Sequence, residues 1–195
     1  MTDPRSAHSA AAIPDMLRAS VLERLGLLGR SDRSVLMCAS VIGRRFEVGV
    51  LIATAIRTRT EIDGALERAC SLQLIEPDDS GRERFCFRHA LTRDMIYEEL
   101  LASRTRPLHR RIGRALERSE ASGDGGIEQL AYHWWAAGDV RRGVRYNELA
   151  GDRAVALHAA ADARTHYDRA LSLARIASPE HARLTSKAGL VSGAE

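Results

Sequence analysis

Leu74-Ile75-Glu76-Pro77-Asp78-Asp79-Ser80-Gly81 and, after Arg82-Glu83-Arg84, Phe85-Cys86-Phe87-Arg88-His89-Ala90-Leu91 are the stretch on which the fold turns. An apolar pair runs into turn-forming residues, and an alternating segment then puts Phe85 and Phe87 on one side. The reading is two short strands joined by a loop, the second leading straight into a helix. Upstream, the periodicity is helical. Pro14 sits where a first turn tolerates proline, Leu17, Val21, Leu25 and Leu28 recur at spacings of four and three, and Gly29 is a stop. Val35, Leu36, Ala39 and Ile42 mark a second helix, broken at Gly43-Arg44-Arg45. A third, from Val48 to Ile56, presents Val48, Leu51, Ile52 and Ala55. Thr60 with Asp63 resembles a capping box opening a fourth helix, which turns Ile62, Leu66 and Ala69 inward. Helices followed by a β-hairpin form the element order of a winged helix.

Downstream everything is helical. Leu91 to Leu101 is apolar on more than one side, and Pro107 to Ser119 is amphipathic through Leu108, Ile112, Ala115 and Leu116. Ser122-Gly123-Asp124-Gly125-Gly126 is a linker and sets the domain boundary. Beyond it, Ile127 to Ala137, Val140 to Ala150, Ala154 to Ala159 and Asp162 to Ile176 read as a helical array. Gly143 to Ala150 superimposes on Ala163 to Ala170 at an interval of 20 residues. Small residues at helix approaches, with Gly138-Asp139 as a turn, resemble tetratricopeptide helix pairs, at a shorter interval than the usual one. The expected fold is therefore mainly α. It has a disordered N-terminus (1–12), a winged-helix-like module with following helices (13–121), a tetratricopeptide-like array (127–176) and a frayed tail (177–195).

Composition narrows the function. With 195 residues, 45% hydrophobic and 28% charged, the chain suits one domain or two small ones and is not disordered throughout. Its net charge is +3, and Lys187 is the only lysine. Lys187 follows Thr185-Ser186, so no G-x-x-x-x-G-K-[ST] phosphate loop can be drawn. The first residues lack the apolar core of a secretory leader, and no 18-residue apolar run exists. Cys38, Cys70 and Cys86 are odd in number and form no C-x-x-C pair, which reads as buried thiols in a reducing, cytoplasmic compartment.

Few residues suggest chemistry. Arg88 and His89 lie beside the first turn of a helix, whose free N–H groups favour anions. His89 has two readings, a structural histidine bonded to a carbonyl and an anion-facing group. Arg104, Arg110, Arg111, Arg114 and Arg118 form the strongest basic cluster, with Arg106 among them. It is either a solvated face or a dock for an acidic partner or nucleotide phosphate. His158, Asp162 and His166 would share a face only on one continuous helix, and Ala159-Ala160-Ala161 reads as a turn, so no metal site is assigned. Tyr132, Trp134 and Trp135 read as core, as do His109 and His133, which flank apolar stripes. No G-x-S-x-G or acid–base constellation occurs, so no catalytic residue is assigned.

Five pieces occur in order: Ile13-Pro14-Asp15-x-Leu17; Ala39-Ser40-Val41-Ile42-Gly43-Arg44-x-Phe46; Phe87-Arg88-His89-Ala90-Leu91-x-Arg93-Asp94-x-x-Tyr97-Glu98; Leu108-His109-x-x-Ile112; and Ala136-Ala137-Gly138-Asp139. Together they resemble the region following the ATPase core in bacterial signal-transduction ATPases with numerous domains (the STAND group). That group includes large LuxR-type transcriptional regulators and cyclase-linked predicted ATPases. The resemblance runs from about Ile13 to Ala174. It implies a winged helix folded against a nucleotide-binding core, and tetratricopeptide-like helices that take a protein or small-molecule signal. In related apoptotic and plant-resistance ATPases, a histidine opening the helix after the winged-helix strands approaches the phosphates of ADP. His89 is the matching position, with Arg88 and Ala90 departing from the Met-His-Asp triplet of those relatives. The implied role is a non-catalytic relay that binds no cofactor alone and contacts ATP or ADP only together with an external core.

The alternative is a stand-alone winged-helix DNA-binding regulator with a helical dimerisation tail. Against it, Glu61, Asp63 and Glu67 face Arg68 alone on the presumed recognition helix, and a duplex repels such a face. Arg82, Arg84 and Arg88 are the residual case for DNA.

Overall fold

Residues 15–78, 83–99, 102–118 and 126–192 are described in a computed structural model, with the backbone alone for 15–17, 102–104 and 192. The expected disordered start, residues 79–82 with Arg82, the side chain of Arg104 and most of the linker at 122–126 lie outside the described residues. Among the described residues there are ten helices and one three-stranded antiparallel sheet, in two compact units, 1–99 and 100–195. No described helix is long and apolar enough to cross a membrane.

In the first unit, α1 (Asp15–Gly26) and α2 (Arg30–Ile42) precede a strand, β1 (Arg45–Glu47). Then come α3 (Val48–Thr54), α4 (Arg59–Ser71), β2 (Ile75–Pro77), β3 (Arg84–Phe87) and α5 (Ala90–Glu98). Gly43 closes α2 at φ +151°, a conformation that glycine alone adopts without strain. β1 has only three residues and shows no alternation of its own; it exists because β3 pairs with it, Phe46 opposite Phe85. β2 pairs on the other edge of β3, Ile75 opposite Phe87, giving the order β1-β3-β2. Phe46, buried, stacks 6.2 Å from Phe85 and lies 5.7 Å from Phe87, as the alternation required. Leu36, Leu51, Ile62, Leu74, Phe87 and Ile96 fill the core with large side chains.

The capping box falls two residues earlier than expected. Thr58 Oγ1 accepts from the Glu61 backbone N–H at 3.3 Å, and Glu61 Oε2 accepts from that of Thr58 at 2.8 Å. Asp63 is taken instead by Arg59, so it cannot cap. At the far end Gln73 adopts φ +55°, and the Leu74 N–H reaches back to the Ala69 carbonyl, turning the chain into β2.

The second unit holds α6 (Ala102–Arg118), α7 (Gly126–Ala136), α8 (Val140–Ala156), α9 (Ala160–Leu173) and α10 (Pro179–Ser192). It takes in α6, upstream of the boundary expected at 122–126, because His109, Ile112 and Ala115 of α6 are buried and Gly113 lies against Trp134 of α7. Gly138 (φ +67°) ends α7, and Asp139 then caps α8 by accepting from the Arg142 N–H at 3.0 Å. α8 is continuous where two segments were expected. Gly151 lies inside it against the Tyr167 ring, so the glycine marks a close helix approach instead of a break. The turn falls at His158 (φ +57°).

The residues expected to fray form α10. Leu184 is fully buried with Val144, Ala154 and Tyr167, and Arg183 and Lys187 pair with Glu148 at 2.8 and 2.9 Å. Gly143/Ala163 and Ala150/Ala170, the repeat 20 residues apart, are buried at equivalent places. A second correspondence is stronger. Leu130/Ala163, His133/His166, Trp134/Tyr167 and Ala137/Ala170 are all buried and each pair is 33 positions apart. Asn147, fully buried, ties three helices together. Its Nδ2 donates to the Ala131 carbonyl at 2.8 Å, and its Oδ1 lies 3.3 Å from His166 Nδ1.

Candidate functional site

The junction of β3 with α5 carries the first candidate. Backbone bonds hold it from both sides: the Phe87 N–H donates to Arg44 O at 2.9 Å and the Arg88 N–H to Leu74 O at 3.2 Å. His89 is the residue flanking the helix start, extended at φ −126° and ψ 139°, exposed, with no side-chain cap bond. Its carbonyl accepts from the Thr92 N–H at 3.0 Å, and the imidazole is left facing outward beside the free end of α5. Arg88 is not free beside it. Its Nε donates to Glu76 Oε2 at 3.0 Å, so β2 has claimed that cation.

The rest of the motif holds the fold. Arg93 Nε donates to the Ser40 carbonyl at 2.7 Å, fixing α5 on α2, and its guanidinium lies 4.8 Å over Tyr97. Asp94 pairs with Arg93 at 2.8 Å, and Glu98 with Arg18 at 3.8 Å. Next door, Cys86 Sγ lies 3.7 Å from Glu76 Oε1. Burial first, and then this carboxylate, push its pKa up, which leaves a thiol and not a nucleophile.

Of the charges proposed for DNA contact, the two that are described, Arg84 and Arg88, are spoken for. Arg84 is paired to Glu47 across the β1–β3 ladder. On α4, Arg68 donates twice to Asp32 of α2, at 2.7 and 2.6 Å, and this bond is the main reason the Asp32 carboxyl is held below its usual range. Arg59 pairs with Asp63 and Glu83 at 2.8 and 2.9 Å.

The second candidate is α6. Arg110, Arg114 and Arg118 are exposed and one turn apart, with Arg111 half-buried beside them. Arg118 Nε donates to the Arg114 carbonyl at 3.1 Å. Glu117 does not neutralise this row. It accepts from the Tyr146 hydroxyl at 3.0 Å and faces Arg142 at 3.3 Å, both on α8. Among the described residues no carboxylate pairs with Arg110, Arg111 or Arg114.

Two features escaped the sequence. Glu47 and Glu76, which capture Arg84 and Arg88, come from other strands, and only the strand pairing reveals them. His109 and His133, 24 residues apart, meet at 2.9 Å between Nδ1 atoms, fully buried between α6 and α7. His158, Asp162 and His166 do not converge, because His158 sits in the turn and His166 points at Asn147. Among the described residues no cluster of histidine, cysteine and carboxylate side chains is arranged to hold a metal. No family model, no curated protein and no solved structure matches this chain.

Proposed function

We propose that this chain is a non-catalytic regulatory relay and protein-interaction module of a STAND-type signalling ATPase or transcriptional regulator, with the nucleotide core supplied from outside it. One observation carries the reading. The charged and aromatic residues of the Phe87–Glu98 motif are engaged within the first unit, and His89 alone is held out at a helix start. An imidazole there, next to the positive end of a helix, suits an anion such as a nucleotide phosphate.

The order α2-β1-α3-α4-β2-β3 with sheet order β1-β3-β2 supports a winged helix. The 33-residue correspondence of α7 with α9 supports tetratricopeptide-like pairs, whose usual interval is about 34. The arginine row on α6 is the dock for an acidic partner surface. Direct DNA readout is disfavoured, since the arginines of α4 are already bound to carboxylates and leave few charges to displace counterions.

The test is ADP release from a P-loop-bearing core of this group, with and without the chain. The wild type slows release, and His89→Ala loses about tenfold of that effect, the weight of one charge-assisted bond. Unchanged release with the variant, nucleotide hydrolysis by the chain alone, or tight salt-dependent duplex binding overturns the proposal.

A further inference from the structure

On the second unit, α8, the segment joining α9 to α10 and the start of α10 line a cavity of about 740 Å³ that is open to solvent, within the size range of small-molecule sites. Val140, Val144, Leu149 and Ala174 give it an apolar lining, and Val140 and Leu149 are 51% and 43% exposed. Four arginines also line it, Arg141, Arg145, Arg175 and Arg183. Arg141 and Arg145 are one turn apart on α8, on the side that carries Glu148 and Asp152.

Two of the three acids at this site are already satisfied. Glu148 is bound by Arg183 and Lys187, and Asp152 by Lys187 at 2.7 Å and the Tyr167 hydroxyl at 2.8 Å. Arg183 above all, then Lys187, hold the Glu148 pKa down at about 2 against the cost of burial, so it stays an engaged anion at any physiological pH. Glu180 is the third lining acid, and its charge acts on Arg183. Among the described residues, Arg141, Arg145 and Arg175 have no carboxylate partner; Arg145 only lies 5.6 Å over the Tyr146 ring.

We infer that this cavity binds a small amphipathic organic anion, with its apolar body on Val140, Val144 and Leu149 and its carboxylate or phosphate head among Arg141, Arg145 and Arg175. An apolar lining alone would accept any greasy molecule. The unpaired guanidiniums are what select an anion, because planar two-pronged donors match carboxylate and phosphate oxygens. Binding at this cavity requires nothing from an ATPase core.

The probes are decanoate, decyl phosphate and, as the uncharged control, decanol, each below its aggregation limit. They are titrated into the 195-residue chain while backbone amide resonances are followed. Decanoate or decyl phosphate shifts residues 140–149 and 174–175 saturably, decanol binds at least about tenfold more weakly, and raising salt weakens the anions. The triple variant Arg141→Gln, Arg145→Gln, Arg175→Gln loses about tenfold or more in anion affinity and leaves decanol unchanged. Silence from both anions, equal binding of decanol, or wild-type affinity in the variant overturns the inference. So does occupation of the cavity by an acidic peptide while both anions stay silent. Should the variant misfold, the comparison of anion with alcohol on the wild-type chain decides alone.

Discussion

The two units spend the same residues differently. In the first, large side chains fill the core and arginines are used internally: Arg33 donates to the Leu25 carbonyl at 2.8 Å, Arg93 to Ser40, and Arg59, Arg68, Arg84 and Arg88 to carboxylates. In the second, helices close on small residues (Gly143, Ala150, Gly151, Ala163, Ala170). Arg142, Arg153 and Arg183 pair with carboxylates there too, while Arg110, Arg111 and Arg114 of α6 and Arg141 and Arg145 of α8 have no carboxylate partner among the described residues. Cation count therefore says little about anion binding. What matters is whether the fold has already supplied the counter-charge. By that measure the candidate site of the first unit offers one imidazole, and the second unit offers two arginine surfaces.

The largest effects come from the cores. Phe87→Ala removes a fully buried ring from the first unit and costs about 3–5 kcal/mol in urea unfolding. Gly151→Leu acts in the opposite sense in the second unit. It adds volume where a Cβ already meets the Tyr167 ring, and costs about 1–3 kcal/mol. If the leucine is tolerated without loss, close helix approach is not what holds the second unit, and the contrast between the cores fails.

The contrast in charge is tested next. Arg93→Ala, which loses the Ser40 bond and the Tyr97 contact, costs about 1.5–3 kcal/mol. Arg114→Ala, on the exposed row of α6, stays within about 0.5 kcal/mol. Equal costs in the same unfolding measurement would mean that the row is structural and not held for a partner.

How much of this was legible follows from how local each cause is. The β2–β3 hairpin, the helix after it and the Gly138-Asp139 turn were readable because alternation and turn chemistry act over a few residues. β1 was not, since three residues show no period and Phe46 is explained only by rings 39 and 41 positions later. α10 was missed because one buried leucine and two ion pairs 35 positions away hold it, and no hydrophobic stripe announces that. The interval of 20 drew attention to two adjacent helices. The 33-residue correspondence hid behind substitutions such as Leu130 for Ala163, which share a burial pattern and not a side chain. At the candidate site, the motif around His89 was legible as a string. That Arg88 is withdrawn by Glu76 was not, because the partner lies across a loop.

Mild acid should separate the units by the smallest of these effects. His166 is buried against Asn147, and its pKa is pushed below 6.5, first by burial and then by Arg169, with Glu128 and Asp162 pulling weakly the other way. A depressed histidine is neutral in the fold and takes up its proton more readily when unfolded. Its stabilising contribution is complete above pH 6.5 and declines as pH falls through the folded value. In the first unit the one described histidine, His89, is exposed, and the carboxylates held down there by partners, such as Asp32, begin to respond only below the ordinary carboxylate range. Between pH 7 and 5.5, then, amide exchange corrected for its intrinsic pH dependence should rise along α7, α8 and α9 and stay level in the first unit. His166→Gln should shrink that rise, and in stronger acid both units should weaken, the second as pH falls from 4.5 toward the Glu148 value of about 2 and the first once pH falls below 3.8 and Asp32 loses its charge. A rise confined to the first unit, or one that His166→Gln leaves untouched, would break the assignment of acid sensitivity to the buried face of the helical array.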